Sequence, residues 1–210
     1  MHNERILIFG DSYSTFAGYI PEGYDIYYPS GVELGVMDVT QTWWHMLADE
    51  TNSEVVHNNS WSGSTICNTG YNGDCSETSS FIHRLNEKID SGFFADTPLD
   101  RVLVFGGTND SWTGNACGEI MYDNWTAEDL LRVLPGISYF TYKLQTAVPA
   151  EKIHFIINTE LRPEITEGIA AICDHYGISY TVLSDIDKFW GHPTAKGMVQ
   201  IKEQVKESLK

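Results

Sequence analysis

Positive charge is scarce in this chain. Against 29 Asp plus Glu stand 13 Lys plus Arg, a formal net charge of −16 over 210 residues. No run of Lys or Arg interrupts that balance. A field of this sign repels phosphate backbones and anionic membrane surfaces, so no nucleic-acid partner is expected and a strongly anionic substrate is disfavoured. Cysteine is rare too. Cys67, Cys75, Cys117 and Cys173 form no CxxC pair and no Cys/His set at zinc-like spacing, which argues against structural zinc. Free thiols are expected, although Cys67 and Cys75 bracket a Gly-rich loop and an oxidised pair is geometrically open to them. No segment approaches the roughly 18 apolar residues of a membrane span, so no membrane insertion is expected. The chain as given carries no signal-like leader; a cytoplasmic location is expected, with secretion the alternative where a leader has been removed. Also missing are a G-x-S-x-G elbow, a P-loop, an HExxH pair and a dinucleotide Gly-rich fingerprint. No metal and no cofactor is expected.

What is present reads as one domain over residues 1–210. Hydrophobic residues make up 42% and charged residues 20%, a globular rather than a disordered balance. Short apolar runs at Arg5 to Gly10, Glu54 to His57, Arg101 to Gly106, Lys152 to Asn158 and Ile178 to Leu183 suit strands buried on both faces. Helical patterns lie between them. One runs from Gln41 to Glu50, with Asp38 or Thr40 as cap. Another carries Phe81, Ile82, Leu85 and Ile89 and stops by Gly92. A third starts at Thr126, is expected to break at Pro135-Gly136, and resumes to Ala147. Pro163 opens a helix that ends at Gly177, and Thr194 opens the last. Strands alternating with helices predict a three-layer α/β/α sandwich on a five-stranded parallel sheet, with its ligand beyond the C-terminal strand ends. Residues 13–38 and 60–78 show no clear period and are expected to be long loops.

The chemistry-bearing residues gather at those strand ends. The first strand leads into Gly10-Asp11-Ser12-Tyr13-Ser14, the second into Asn58-Asn59-Ser60-Trp61-Ser62-Gly63, and the third into Gly107-Thr108-Asn109-Asp110. Each alone reads as a turn, and Asp11 and Asp110 are assigned to their turns. Together they supply a hydroxyl and candidate donors at one crevice. His192 follows the last strand and precedes the last helix, on the same side. A serine hydrolase needs a base beside its hydroxyl and donors aimed at the developing oxyanion. The N–H groups of Ser12 and Gly63 and the side-chain amide of Asn109 are candidates for the donors. His2, His45, His57, His83, His154 and His175 are expected to be packed or surface residues.

Taken in order, Gly10-Asp11-Ser12, Gly63, Gly107-Thr108-Asn109-Asp110 and His192-Pro193 resemble the motif blocks of the SGNH, or GDSL-like, hydrolases, over nearly the whole chain. That resemblance implies a flavodoxin-like fold and ester hydrolysis through an acyl-enzyme. It implies Ser12 as nucleophile and His192 as general base, with Ser12, Gly63 and Asn109 as oxyanion hole. The family's last block places an orienting Asp three residues before the histidine, where this chain has Phe189. Asp187 is the preferred substitute, with Asp185 or a backbone carbonyl as alternatives. A small ester is the expected substrate, of an acetyl-like group on a carbohydrate or related alcohol. The alternatives are a lysophospholipase- or thioesterase-type acyl hydrolase, and a ligand-binding module that has lost turnover. Tyr13, Trp61, Trp112 and Trp190 are candidate substrate contacts.

Overall fold

A computed structural model describes residues 3–209; His2 lies outside the described residues. Five strands form one all-parallel sheet: β1 (Glu4–Gly10), β2 (Ser53–Ser60), β5 (Arg101–Phe105), β6 (Ile153–Ile157) and β7 (Ser179–Val182). Two short hairpins account for the others, β3 (Thr69–Gly70) with β4 (Gly73–Asp74), and β8 (Lys188–Phe189) with β9 (His192–Pro193). The sheet order is β2-β1-β5-β6-β7. The chain therefore reverses direction of winding between β1 and β5, and a crevice opens beyond their C-terminal ends.

The sheet is covered on both faces, as parallel sheets must be to bury side chains pointing alternately up and down. Leu7, Phe9, Val102, Val104 and Phe155 face α2 (Phe81–Asp90), α5 (Val133–Ala147) and α6 (Pro163–Tyr176). Ile6, Ile8, Leu103, Phe105 and Ile156 face α1 (Trp43–Thr51) and α7 (Ala195–Ser208). Each such fully buried side chain contributes roughly 1.5–3 kcal/mol. The short helices α3 (Phe93–Asp96) and α4 (Thr108–Trp112) complete the set. His154 sits in β6 with both ring nitrogens satisfied, by Ser179 and Thr181 at 2.8 Å each, and burial holds it down to about 4, a neutral core histidine.

Three expectations are corrected. The helix expected to start at Thr126 is only a 3-10 turn at Asp129–Leu131 followed by an extended Arg132, and the break at Pro135-Gly136 does not occur: α5 begins at Val133 and runs straight through, because Pro135 falls in the first turn, where no backbone N–H has an intrahelical partner to lose. The cap of α1 is Thr42, while Asp38 caps a separate 3-10 turn at Val39–Gln41. Residues 60–78 are not all loop, since they hold the β3–β4 hairpin.

Candidate active site

Gly10 ends β1 where the chain passes close to its neighbours: a Cβ there would lie 2.4 Å from Ser60 Oγ and 2.7 Å from Ser14 Cβ. The following Asp11 accepts the Tyr13 N–H at 3.0 Å and caps a 3-10 turn, Ser12–Ser14. This turn places the Ser12 hydroxyl 3.0 Å from His192 Nε2, across 180 residues of sequence. His192 comes from the β8–β9 hairpin, whose two-residue tip, Trp190 and Gly191, has φ of +49° and +79°. Consecutive positive φ values at a two-residue tip match the twist of antiparallel strands. They also turn the Trp190 carbonyl back toward the imidazole, 3.3 Å from Nδ1. A carbonyl only accepts, so the proton sits on Nδ1 and Nε2 is left to accept from Ser12. Burial first, and the Lys188 charge after it, hold His192 below its ordinary value, with the Trp190 carbonyl acting the other way. The imidazole is thus neutral at pH 7.

Asp187 is not brought to the imidazole. Its carboxylate takes the hydroxyl of Thr194 and lies 3.6 Å from Lys196 Nζ. Its carbonyl accepts the Thr194 N–H at 3.1 Å, so it ties the hairpin's base to the start of α7. The reason is register: Phe189 pairs directly across the ladder with His192, and Asp187 precedes the hairpin altogether. Asp185 also has no contact with His192 among the described residues. Of the three alternatives, the backbone carbonyl is the one found at Nδ1.

The donor side is built by the segment after β2. The N–H of Trp61 donates to the Gly10 carbonyl at 3.1 Å, and a turn closed by Ser64 N–H on the Trp61 carbonyl at 3.2 Å follows. Gly63 is its third residue, at φ +78°, a conformation that costs glycine little. Asp110 accepts the N–H groups of Ile66 and Cys67 at 2.9 and 3.0 Å, clamping this segment to α4. Asn109, one residue earlier, donates from Nδ2 to the Ser64 carbonyl at 2.9 Å and accepts the Tyr71 hydroxyl on Oδ1 at 3.0 Å. Both contacts orient the amide and leave its second N–H for the crevice. The N–H groups of Ser12 and Gly63 have no acceptor among the described residues.

Sequence reasoning overlooked Arg84. Its guanidinium is fully buried and donates to the carbonyls of Asn59, Gly10 (3.4 Å) and Ser79 (3.1 Å) and to Ser64 Oγ (3.0 Å), while lying 4.4 Å from the Phe81 ring centroid. One cation thereby holds the ends of β1 and β2 and the Gly63 turn together. Its signal was an arginine set among the apolar positions Phe81, Ile82 and Leu85 of one helix face.

Of the aromatic candidates, Tyr13 is corrected. It is 0% exposed, packs edge-on against Phe105 and donates its hydroxyl to the Gly191 carbonyl, so it supports the hairpin from beneath. Trp61 stacks on Tyr24 and donates to Asp25 at 3.1 Å. Trp112 is 43% exposed and meets His192 edge-on, and Trp190 is 85% exposed. A cleft of about 260 Å³ opens from Gly63 between Trp61, Tyr71, Asn72, Asp25 and Asp74. Among the described residues, no group of three or more His, Cys, Asp or Glu is placed to hold a metal ion, and no helix is long and apolar enough to cross a membrane.

Residues 4–209 match the sequence profile of the GDSL-like Lipase/Acylhydrolase family. The chain is 42% identical to a protein of Bacteroides ovatus ATCC 8483 whose crystal structure is described as that of a GDSL-like lipase. The TM-score is 0.89, covering 99% of this chain and 98% of that one. A counterpart from Bacteroides uniformis ATCC 8492, described in the same way, is 41% identical with TM-score 0.89 over 99% and 95%. A family two carbohydrate esterase from Clostridium thermocellum, solved in complex with cellohexaose, is 13% identical with TM-score 0.63, over 99% of this chain and 63% of that one, a likeness of fold alone. A search of curated proteins found no match.

Proposed function

This chain belongs to the GDSL-like lipase/acylhydrolase family, and from that premise we propose that it hydrolyses carboxylic esters through an acyl-enzyme on Ser12. The observation that carries the reading is the 3.0 Å contact between Ser12 Oγ and an imidazole whose Nε2 is free to accept a proton. Ser12 Oγ attacks the ester carbonyl carbon as His192 Nε2 takes the hydroxyl proton. The carbonyl oxygen becomes an oxyanion, met by the N–H groups of Ser12 and Gly63 and the second amide N–H of Asn109. The intermediate collapses, the C–O bond to the alcohol breaks, and His192 returns its proton to the departing alkoxide. Water then attacks the acyl-enzyme by the same proton route and releases the acid. His192 acts with Ser12 as a dyad, oriented by the Trp190 carbonyl in place of a carboxylate.

The substrate is proposed to be a short acyl ester, acetyl-like, of a carbohydrate or related alcohol. The cleft beside Gly63 carries Asp25, Asn72 and Asp74, a lining that suits hydroxyl groups and penalises a long alkyl chain. On the His192 side, where the alcohol departs, Trp112 and Trp190 offer flat, exposed faces to a sugar ring. A crevice that binds such a ligand without turnover is the second reading, favoured by the missing carboxylate at Nδ1. Hydrolysis of p-nitrophenyl acetate by the wild-type protein and by Ser12→Ala separates the two. Turnover is expected in the wild-type protein and is expected to fall at least about a thousandfold in Ser12→Ala with an unchanged circular-dichroism spectrum. Undiminished turnover in that variant overturns the assignment of Ser12, and a folded but inert wild-type protein favours the binding module.

A further inference from the structure

The aperiodic segment between Tyr13 and Asp38 reaches across the crevice and touches the histidine. The Tyr27 ring lies face to face with the His192 imidazole, centroids 3.6 Å apart and planes 9° from parallel. The segment is tied down on both sides of that contact. The N–H of Tyr27 donates to Thr15 Oγ1 at 2.9 Å, and the Ala17 N–H donates to the Tyr28 carbonyl at 2.9 Å. The hydroxyl of Tyr28, fully buried, donates to the Pro193 carbonyl at 2.6 Å, and its ring meets Tyr27 edge-on at 5.0 Å. Two consecutive tyrosines thus hold two consecutive residues, His192 and Pro193.

We propose that Tyr27 is a positioning residue for the general base, an aromatic clamp that fixes the imidazole plane and stabilises its protonated form during the reaction, the work an orienting carboxylate does elsewhere. The inference rests on the reading of Ser12 and His192 as nucleophile and base. A neutral imidazole stacks on a phenol ring weakly; an imidazolium over the same face gains cation–π attraction. The contact is therefore stronger when His192 carries the serine proton than when it does not, which is the difference that accelerates a reaction. The remaining groups facing the ring leave this role open. They are the Ser12 hydroxyl, the Trp190 carbonyl, the Tyr13 ring and the Trp112 edge, each ring at 5.5 Å, and the Lys188 ammonium, which is paired with Glu160 at 3.1 Å. No carboxylate among them contacts the imidazole.

The test compares Tyr27→Leu, which keeps an apolar cover over the imidazole but removes the π face, with Tyr27→Phe, which keeps the face. The expected result for Tyr27→Leu is a loss of about tenfold in kcat/KM, carried by kcat, and an acidic limb moved to lower pH. Tyr27→Phe is expected to stay within about threefold of wild type with its limb in place. The His192 pKa is read independently of turnover by NMR titration in a Ser12→Ala background, where Tyr27→Leu is expected to lower it by about half a unit or more. An unchanged titration with unchanged kcat/KM overturns the clamp, as does a Tyr27→Phe variant as impaired as Tyr27→Leu, which would assign the effect to the hydroxyl. Full activity in Ser12→Ala alone would overturn the nucleophile assignment instead, and the titration still decides whether Tyr27 favours the imidazolium.

Discussion

Trp190 holds a left-handed backbone at φ +49° while its side chain stands 85% exposed. For a bulky residue that conformation costs roughly 1 kcal/mol, and here no core packing repays it. What it secures is the direction of one carbonyl, toward His192 Nδ1. Asp11 presents a second strained choice. Its carboxyl is fully buried beside Ser12 and burial pushes it up to about 7, from an ordinary 3.8. The proton is then held more tightly in the folded than in the unfolded chain. Its stabilising effect is complete below about pH 4 and is lost as pH rises toward 7. Asp11→Asn is expected to remove that slope, so that the stability difference between variant and wild type changes across pH 4 to 7 in urea unfolding. Parallel pH profiles for the two proteins would refute it. At this scale the sequence disclosed the pair that the structure brings to 3.0 Å, Ser12 and His192, but not the groups that support it. Ser12 and His192 follow from hydroxyl and imidazole at strand ends. Asp187 misled because sequence spacing cannot register a hairpin that places Phe189 opposite His192.

Elements set the reach of these residues. The β8–β9 hairpin is two pairs long, yet it converts a loop after the last sheet strand into a fixed arm for His192, braced by Tyr13 from below and by Thr194 and Lys196 at its root. On the donor side the corresponding brace is Arg84 of α2. The Gly10 carbonyl keeps the Trp61 N–H without it, but the other buried acceptors at this joint lose a charged donor, which is costly. Arg84→Met, similar in volume, is expected to lower stability by at least about 3 kcal/mol and to slow turnover through the Gly63 turn. An unchanged urea midpoint would show that the guanidinium is dispensable. Strong periodicity was readable at this scale: α6 from Pro163 to its Gly177 cap, and α7 from its Thr194 cap, stand where the sequence indicates. Pro135 was misread because proline's effect depends on its position within a helix, which the tertiary start of α5 decides. The β3–β4 and β8–β9 hairpins are too short to leave an alternating pattern.

The whole molecule explains why so dispersed a set converges. Taken in chain order, the five sheet strands lie 2-1-3-4-5, and the winding reversal between β1 and β5 puts Ser12 and Asn109 on either side of one crevice. The segment after β2 brings Gly63 to the same edge, and the last connection brings His192. The five parallel strands and their two helical layers were readable from apolar runs alternating with helices, although the edge strands β2 and β7 are only partly buried, and the flavodoxin-like order came from the family resemblance. The contacts of residues 13–38 with the histidine were not, since they join positions some 165 residues apart and follow no local rule. Activation of Ser12 by a histidine that needs no carboxylate is read out by intact-protein mass spectrometry after treatment with a fluorophosphonate. One adduct is expected on the wild-type protein and on Asp187→Asn, at rates within about threefold of each other, and none on Ser12→Ala or His192→Ala. Labelling that persists in Ser12→Ala, or that disappears in Asp187→Asn, would contradict it.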